Sequence, residues 1–166
     1  MSKTPLHICF FNRSYHPDPG GTGQLLTELT EDLVRDYGCK VSVVTRPSLV
    51  RGHGLQPRGW MPVRREARNG VEIFRAWGTT FAPRRFAGRA ANYLSYFLSA
   101  CIAGLRVPRP DLVVSLTDPP IIGLAALLTA RRSGARFVFL CQDVFPEVAM
   151  LLEDFRNKTV NQLLDR

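Results

Sequence analysis

The sequence lacks any apolar run long enough to cross a bilayer. Its longest such stretches, YLSYFLSACIAGL and IIGLAALLTA, fall short of the roughly 20 residues that a membrane span needs. The first residues, MSKTPLHICFF, pass from one lysine straight into a strand-like run without a small-residue cleavage site, so a secretory signal is not expected. With 166 residues and 45% hydrophobic side chains, we expect one globular, cytoplasmic domain.

Cysteine is scarce and shows no CxxC spacing. The chain has four cysteines, most of them inside apolar runs: Cys9, Cys39, Cys101 and Cys141. We therefore expect reduced core residues of a cytosolic protein and no metal site.

Acidic residues are nearly absent from the middle of the chain. Between Arg46 and Arg109 the sequence has 12 basic and 2 acidic residues, a local excess of +10. The whole chain carries +8, so the remainder sums to −2. Such a concentration suits a phosphate-rich partner: nucleic acid, an anionic membrane surface or a lipid pyrophosphate. The alternative is a solvated basic face that only keeps the protein soluble.

Four compact apolar runs are typical of buried parallel strands. They are LHICFFN (6–12), KVSVVT (40–45), DLVVSLT (111–117) and RFVFLC (136–141). Helical patterns lie between them, and strands that alternate with helices imply right-handed crossovers. The sequence therefore predicts an α/β fold, a Rossmann-like, doubly wound parallel sheet with helices on both faces.

Two helical segments have recognisable ends. In QLLTELTEDLVRDYG, Glu31 stands one turn before Arg35, with which it can pair, and Gly38 supplies a stop. The second segment, IIGLAALLTARRSG, ends in two arginines before Gly134, where cations complement the helix dipole. The first helix is expected to bury an apolar face made of Leu25, Leu26, Leu29, Leu33 and Val34.

The region after the second strand-like run breaks the pattern. Residues 46–62, RPSLVRGHGLQPRGWMP, have no periodicity and are rich in Pro, Gly and Arg, which indicates a surface loop. Next, PVRREARNGVEIFRAW places Asn69-Gly70 between two alternating segments, a strong hairpin signal. We therefore expect a loop and β-hairpin insertion at about residues 46–77.

A helical apolar stripe follows the hairpin, and we expect it to be core. Its members are Phe86, Ala90, Tyr93, Leu94, Phe97, Leu98, Cys101, Ile102 and Leu105. Arg84, Arg85 and Arg89 crowd the N-terminal end of this helix, where positive charge is mildly unfavourable. Contact with a membrane surface or an anionic substrate would explain their position.

The loop after the first strand has features of a ligand site. In NRSYHPDPGGTGQLLTEL (12–29), three glycines let backbone N–H groups approach a ligand closely. Thr22 or Gly23 is expected to begin a helix whose N-terminus suits a phosphate or a sugar hydroxyl. Just before the glycines stand three polar or amphipathic side chains that a plain turn would not need: Arg13, Tyr15 and His16. The alternative for the glycines is a flexible turn.

Two further loops follow strands, and each carries an acid. In TDPPIIG, Asp118 after Thr117 is explained as a helix cap before proline, but it can still face a ligand while capping. In QDVFPEVA, Asp143 has no obvious structural role at the end of its strand, so it is a candidate for binding a substrate hydroxyl or handling a proton. Glu147 either joins the site or only complements the helix dipole. Ligands of open parallel sheets bind at this edge.

Together these loops resemble the N-terminal domain of the GT-B glycosyltransferases of family 4, in particular the bacterial exopolysaccharide, colanic-acid and O-antigen transferases. The matching stretches are YHPDPGGTGQLLTEL (15–29), LTDPPIIGLAA (116–126) and FLCQDVFPEVA (139–149). Many relatives have Ser at the position of Asp118 and Leu-Trp at the position of Val144-Phe145. The acidic, proline and glutamate positions are intact, and the resemblance spans nearly the whole chain.

The resemblance implies a retaining transfer of a sugar from a nucleotide-sugar donor to an acceptor held by this domain, without a cofactor or bound metal. It implies that Asp143 lies beside the reacting sugar as the catalytic residue, and that the glycine turn borders the donor diphosphate and the acceptor. It also implies a set of substrate-binding residues: Arg13, His16, Gly20, Gly21, Thr22, Gly23, Thr117, Asp118 and Glu147.

By the same resemblance, residues 1–166 form a GT-B N-terminal domain, and the donor-binding C-terminal domain with its paired glutamates is expected to be missing. We expect the chain alone to fold but to lack transferase activity. In the exopolysaccharide branch the acceptor is a saccharide linked to undecaprenyl diphosphate at the inner membrane surface. Arg84, Arg85 and Arg89 would then meet lipid headgroups or the lipid pyrophosphate, and the protein would be peripheral on the cytoplasmic membrane.

Two other classes of protein share parts of this pattern. An NADP-binding Rossmann domain would explain the glycines and Arg46 after the second strand, where a 2′-phosphate could bind. However, the dinucleotide fingerprint opens directly after its strand, whereas about eight residues intervene here. A nucleic-acid-binding module would explain the charge, but the sequence has no recognised base-reading motif, so no nucleic-acid partner is expected.

Overall fold

The computed structural model describes residues 4–48, 62–81 and 86–142. Within these ranges the chain forms β1 (His7–Phe11), α1 (Gly21–Arg35), β2 (Lys40–Thr45), β3 (Val63–Arg68), β4 (Val71–Ala76), α2 (Phe86–Arg106), β5 (Leu112–Ser115), α3 (Ile122–Ser133) and β6 (Arg136–Phe139). The four predicted strands are confirmed as β1, β2, β5 and β6, each within two residues at its ends.

The strands form one sheet in the order β3-β4-β2-β1-β5-β6. All neighbouring pairs are parallel except β3 and β4. The strand order reverses between β1 and β5, because β2 lies on one side of β1 and the later strand β5 on the other. The α/β fold is confirmed, and the carboxyl ends of β1 and β5 form the switch point where open α/β sheets bind ligands.

The predicted hairpin is confirmed, and its second strand belongs to the central sheet. Asn69 and Gly70 have φ angles of 46° and 83°, as both central residues of a type I′ turn require. Beyond pairing with β3, β4 runs parallel to β2, and most of its side chains are buried, as in an inner strand. Of the predicted surface loop, residues 49–61 lie outside the described residues.

Helix α1 covers one face of the sheet, next to β1, β2 and β4. Its buried residues are Gly23, Leu26, Thr27 and Thr30. Leu25 and Leu29 are 65% and 48% exposed, so the predicted apolar face is wrong at these two positions. The threonines take the inner positions because their hydroxyls find partners: Thr27 donates to the Gly23 carbonyl, and Thr30 bonds the Tyr15 hydroxyl.

The charged residues of α1 pair differently from the prediction. Glu31 binds Arg68 of β3 at 2.8 Å, because that side of the helix faces the hairpin. Arg35 instead binds Asp32 at 2.6 Å and Asp36 at 2.8 Å on the exposed surface. The predicted pair between Glu31 and Arg35 is therefore wrong.

Helices α2 and α3 cover the other face, and small side chains let them approach closely. The buried residues of α2 are Tyr96, Ser99, Ala100, Ala103 and Gly104, and those of α3 are Ile122, Ala125, Ala126, Thr129 and Ala130. A Cβ atom at Gly104 would overlap with Oγ1 of Thr129. The absence of a side chain at Gly104 therefore allows the two helices to touch.

The apolar stripe of α2 predicted as core is wrong for its large aliphatic members. These are exposed: Leu94 by 54%, Leu98 by 55%, Ile102 by 38% and Leu105 by 62%. The inner side of the helix is its small-residue side, because alanine and glycine allow the close approach to α3 and the sheet. No helix in the described parts of the chain is long and apolar enough to span a membrane.

Helix α3 ends as predicted, and the cysteines only partly follow the expectation. Gly134, with a φ of 68°, caps the helix after its two arginines. Cys9, Cys39 and Cys101 form no disulfide, and burial raises the pKa of the Cys9 thiol. Cys39 and Cys101 are half-buried, but Cys141 is exposed after the end of β6, so the core assignment is wrong for Cys141.

Candidate functional site

Three loops meet at the carboxyl ends of β1, β2 and β5, and Arg13 joins all of them. Its backbone N–H donates to the Asp118 carbonyl after β5 at 3.0 Å. Its own carbonyl accepts from the backbone N–H of Arg46 at 3.2 Å and from Oγ1 of Thr45 at 2.8 Å. Three separate stretches of sequence thus form one hydrogen-bonded unit at the switch point.

The Asp118 carboxylate binds the Arg13 guanidinium instead of capping a helix. The distance from Nε to Oδ2 is 3.1 Å, and both side chains are about one-third exposed. Helix α3 begins at Ile122, and its N-cap residue, Ile121, makes no side-chain cap bond. The predicted capping role is wrong because the two-proline turn separates Asp118 from the helix. The Arg13 guanidinium also lies 5.5 Å from the ring centre of Tyr93.

The glycine-rich turn starts α1 slightly earlier than predicted. The helix begins at Gly21 with Gly20 as its N-cap, and Thr22 is half-buried in the first turn. A Cβ at Gly20 or Gly21 would meet no protein atom within 4 Å, so the space beside them is open to a ligand. Gly23 differs, because its Cβ would lie 3.4 Å from the backbone nitrogen of Tyr15. Gly23 is therefore packed against the loop after β1 and does not face the open space beside Gly20 and Gly21.

A buried arginine fixes two of these loops. Arg75 of β4 is 7% exposed and donates to the carbonyls of His16, after β1, and Arg46, after β2. Its Nε donates to Oε1 of Glu66 at 2.6 Å, and its guanidinium lies 5.9 Å from the ring centre of Tyr15. The planar fork of arginine can serve several acceptors at once, so Arg75 holds both loops against the sheet.

His16 lies in the same network, between the hairpin and α1. Nη1 of Arg68 donates to Nε2 of His16 at 2.7 Å. Because arginine can only donate, Nε2 accepts and carries no proton in this arrangement. The backbone N–H of His16 donates to Oγ1 of Thr27 at 3.2 Å, and Arg68 also binds Glu31. These contacts tie the first loop to two neighbouring elements.

Buried polar atoms without hydrogen-bond partners concentrate at this edge. In the described part of the chain there are six: Oδ1 of Asn12, Oδ2 of Asp18, Nε of Arg46, Oε2 of Glu72, Oγ1 of Thr117 and Oγ of Ser133. Four of the six belong to the loops after β1, β2 and β5. Each such group costs about 1–3 kcal/mol when left unpaired. Their concentration here sets this edge apart from the rest of the described fold, as is common at functional sites.

The same edge holds two arginines, each beside an acid: Arg13 beside Asp118 and Arg46 beside Asp18. Burial lowers the pKa of Arg46, and the nearby positive charge of Arg13 lowers it further. Oδ2 of Asp18 lies 3.9 Å from Nε of Arg46, which is too far for a hydrogen bond. Arg46 therefore keeps a buried donor that a phosphate oxygen could accept from.

Part of the basic excess between residues 46 and 109 is neutralised within the protein. Three arginines of the hairpin form ion pairs: Arg65 with Glu72 at 2.6 Å, Arg68 with Glu31 at 2.8 Å and Arg75 with Glu66 at 2.6 Å. Arg89 is half-buried on α2. In the hairpin, the charges of Arg65, Arg68 and Arg75 are therefore neutralised by acids of the same domain.

Apart from His16, which contacts Arg68, and Arg89 on α2, the predicted site residues fall into three groups. Arg13, Thr117 and Asp118 come together at the switch point, and the glycine turn with Thr22 opens α1 beside the same loop. The third group lies outside the described residues: Asp143, Glu147, Arg84 and Arg85. Within residues 4–48, 62–81 and 86–142, no cluster of three His, Cys, Asp or Glu side chains is placed to hold a metal ion.

Comparison with known families supplies the identity that the geometry leaves open. Residues 20–164 match the family described as glycosyl transferase 4-like domain, which is most of the chain. The chain belongs to this family. A search of curated proteins gave no match. As a glycosyltransferase domain with a mostly parallel sheet between helices, it has the architecture of a Rossmann-like glycosyltransferase half-domain. Membership of this family favours sugar transfer over the NADP-binding and nucleic-acid-binding alternatives.

The glycosyltransferase domain has residues at its site that sequence reasoning missed. The sequence does indicate that Arg75 points inward. Alternation in VEIFRA places it on the same strand face as Val71 and Ile73, which are buried. A charged side chain at an inward position requires partners. Asn12 and Asp18 left no such signal, because only the fold brings their loop against those after β2 and β5.

Proposed function

We propose that this glycosyltransferase domain is the acceptor-side half of a retaining GT-B enzyme. The enzyme would transfer a hexose from a nucleotide-sugar to a saccharide linked to a polyprenyl diphosphate, in the synthesis of a bacterial surface polysaccharide. The family match supports sugar transfer. The acceptor and the subtype rest on the resemblance of the three loops.

The unpaired polar atoms at the switch point carry the proposal. The oxygens of Asn12 and Thr117 and the Nε of Arg46 are buried without hydrogen-bond partners, although Nε of Arg46 lies 3.9 Å from the Asp18 carboxylate. Sugar hydroxyls both donate and accept hydrogen bonds, and diphosphate oxygens accept from guanidinium groups. One sugar diphosphate therefore offers a partner of the right type to each of these three groups.

The chemistry is assigned to Asp143 beside the reacting sugar, with Glu147 as a substrate contact and a nucleotide-sugar held by a separate donor-binding domain. No cofactor or metal is part of the proposed reaction. We expect the purified 166-residue chain to give no transfer, because it would hold only the acceptor side. Measurable turnover by this chain would contradict that division of roles.

Isothermal titration calorimetry of the purified chain tests the proposal, with farnesyl-diphosphate-linked glucose as the soluble probe. Arg46→Gln and Thr117→Val are expected to weaken binding roughly tenfold or more, as loss of a charge-assisted or buried hydrogen bond does. Arg64→Gln is the matched control, because Arg64 is an exposed arginine on the edge strand β3.

The results that would contradict the proposal are equally specific. Unchanged probe affinity in both site variants would remove the switch point as the acceptor site. Tight binding of NADPH that is lost in Arg46→Gln, without binding of the probe, would revive the dinucleotide alternative.

A further inference from the structure

The outer surface of α2 and α3 carries large apolar side chains, and we name it the α2–α3 face. Its members are 36–62% exposed: Leu94, Leu98, Ile102 and Leu105 on α2, with Ile121, Leu124 and Leu128 at the start and along the length of α3. On α2 they recur every three or four residues, so they form one stripe along the helix.

The stripes of the two helices adjoin. Gly104 meets Thr129 where the helices touch, and Nη2 of Arg132 donates to the carbonyl of Gly104 at 3.4 Å. Leu105 and Leu128 are the sequence neighbours of that contact pair, and both are exposed by more than half. The aliphatic residues therefore belong to one surface. Contiguous apolar surfaces of this kind mark interaction sites in soluble proteins.

The charges that α2 and α3 themselves carry have one sign. Helices α2 and α3 contain no Asp or Glu, and their charged residues are Arg89, Arg106, Arg131 and Arg132. A second copy packed on this face by two-fold symmetry would bring arginines against arginines. An anionic bilayer offers both an apolar layer for the leucines and negative headgroups for the arginines.

We propose that the α2–α3 face docks on an anionic lipid bilayer, with α2 lying in the plane of the membrane surface. This deepens the proposed function, on which it rests in one respect: an enzyme that takes a lipid-linked acceptor has to meet it at a bilayer. The observation that carries it is independent: two neighbouring helices expose aliphatic side chains, and all charged residues of these two helices are arginines.

Vesicle flotation tests the proposal without any substrate present. The purified chain is expected to float with vesicles of phosphatidylglycerol and phosphatidylcholine, and less with phosphatidylcholine alone. Leu98→Gln with Leu105→Gln is expected to lower the partition coefficient about tenfold, because two leucines leave the acyl boundary. The matched control is Leu25→Gln with Leu29→Gln, which changes two leucines of α1 that are 65% and 48% exposed. Binding by the control should stay unchanged.

Three results would overturn the proposal. The first is no binding to anionic vesicles, and the second is an equal loss of vesicle binding in both double variants. The third is a concentration-dependent dimer that only Leu98→Gln/Leu105→Gln dissociates. The last would assign the face to a second copy. Thermal unfolding of each variant confirms that the fold is retained. Because no sugar or acceptor is present, a failure of acceptor binding counts against the proposed function alone.

Discussion

The two faces of the sheet are held by different kinds of contact. On the α1 side, buried polar groups join the elements. The hydroxyl of Tyr15 bonds Oγ1 of Thr30 at 2.8 Å, and burial raises the pKa of Tyr15. Arg75 and Glu66 form a mostly buried pair nearby. This side therefore fixes the loops of the candidate site through directional bonds.

On the α2–α3 side, close packing of small residues joins the helices to the sheet and to each other. Alanines and Gly104 let both helices approach the sheet and each other. One polar contact stands out there, in which the buried Tyr96 hydroxyl donates to the Asn12 carbonyl at 3.2 Å. Since the small side chains point inward, the large aliphatic ones remain outside.

The difference separates two tasks in one domain. Polar bonds are specific in geometry, so the α1 side can place the acceptor loops accurately. Packing of alanine and glycine is less directional and leaves an outer surface free for another contact. Substitutions on the two sides should therefore have different effects on stability and on binding. The following experiments compare these effects.

The largest effect is expected from Arg75→Met on the α1 side. The substitution removes the buried guanidinium that binds Glu66 and takes its donors away from the carbonyls of His16 and Arg46. We expect a loss of about 3 kcal/mol in the free energy of unfolding, measured by urea denaturation. Affinity for the sugar-diphosphate probe should fall with it, because two site loops lose their common anchor.

The control for Arg75 is its partner across the hairpin. Arg64 lies opposite Arg75 in the β3–β4 register but is exposed. Arg64→Met should change stability by less than about 0.5 kcal/mol. Equal losses in the two variants would mean that the bonds of Arg75 do not organise the α1 side.

A smaller effect is expected from Gly104→Ala on the α2–α3 side. The new methyl group would overlap with Oγ1 of Thr129, so the helices must separate or the threonine must move. We expect a loss of about 2 kcal/mol, measured by the same urea titration. Gly21→Ala is the control, because a Cβ there would meet no protein atom within 4 Å.

The double variant Gly104→Ala/Thr129→Ala sharpens this test. It removes the clashing hydroxyl, and the closest remaining atoms are Cζ of Phe11 at 3.3 Å and Cβ of residue 129 at 3.4 Å. Stability should recover by at least about 1 kcal/mol relative to the single variant. No recovery would show that the helices are not in contact at this point.

The two sides also differ in how much the sequence reveals. Local patterns were sufficient for the strands and for the Asn69-Gly70 turn, because strand burial and turn type depend on few neighbouring residues. The apolar stripe of α2 gave a wrong prediction, because hydrophobicity alone assigns Leu98 and Leu105 to the core. Close helix contact instead selects Ala100 and Gly104 for the inner side, and that requirement exists only in three dimensions.

The candidate site divides along the same line. The glycine turn and Asp118 could be found from motifs, since each motif lies in one stretch of sequence. The hydrogen-bonded unit around Arg13 could not, because the partners of Arg13 are 32 to 105 residues away from it in sequence. The same holds for the pair of unbonded oxygens on Asn12 and Thr117. Strand order, which no local pattern encodes, brings them to one edge.

The smallest effect is expected from a histidine at the opposite edge of the sheet. His7 starts β1, with Nε2 at 2.9 Å from Oγ of Ser42 and Nδ1 at 3.3 Å from the carbonyl of Arg109. Burial lowers the pKa of His7 below its usual value, and the hydrogen bond to the Arg109 carbonyl opposes that shift. Because the two causes act in opposite directions, the net dependence on pH is expected to be modest.

The sign of the effect follows from the lowered pKa. Below about pH 6.5 the unfolded chain binds a proton at His7 more readily than the folded chain does. The contribution is therefore complete above about pH 6.5 and is lost as the pH falls toward the pKa of the folded state. Urea unfolding at about pH 7.5 and about pH 5.5 should show a larger drop for the native chain than for His7→Gln. Since the other titrating groups are common to both, an equal drop would mean that His7 titrates alike in the folded and unfolded chains.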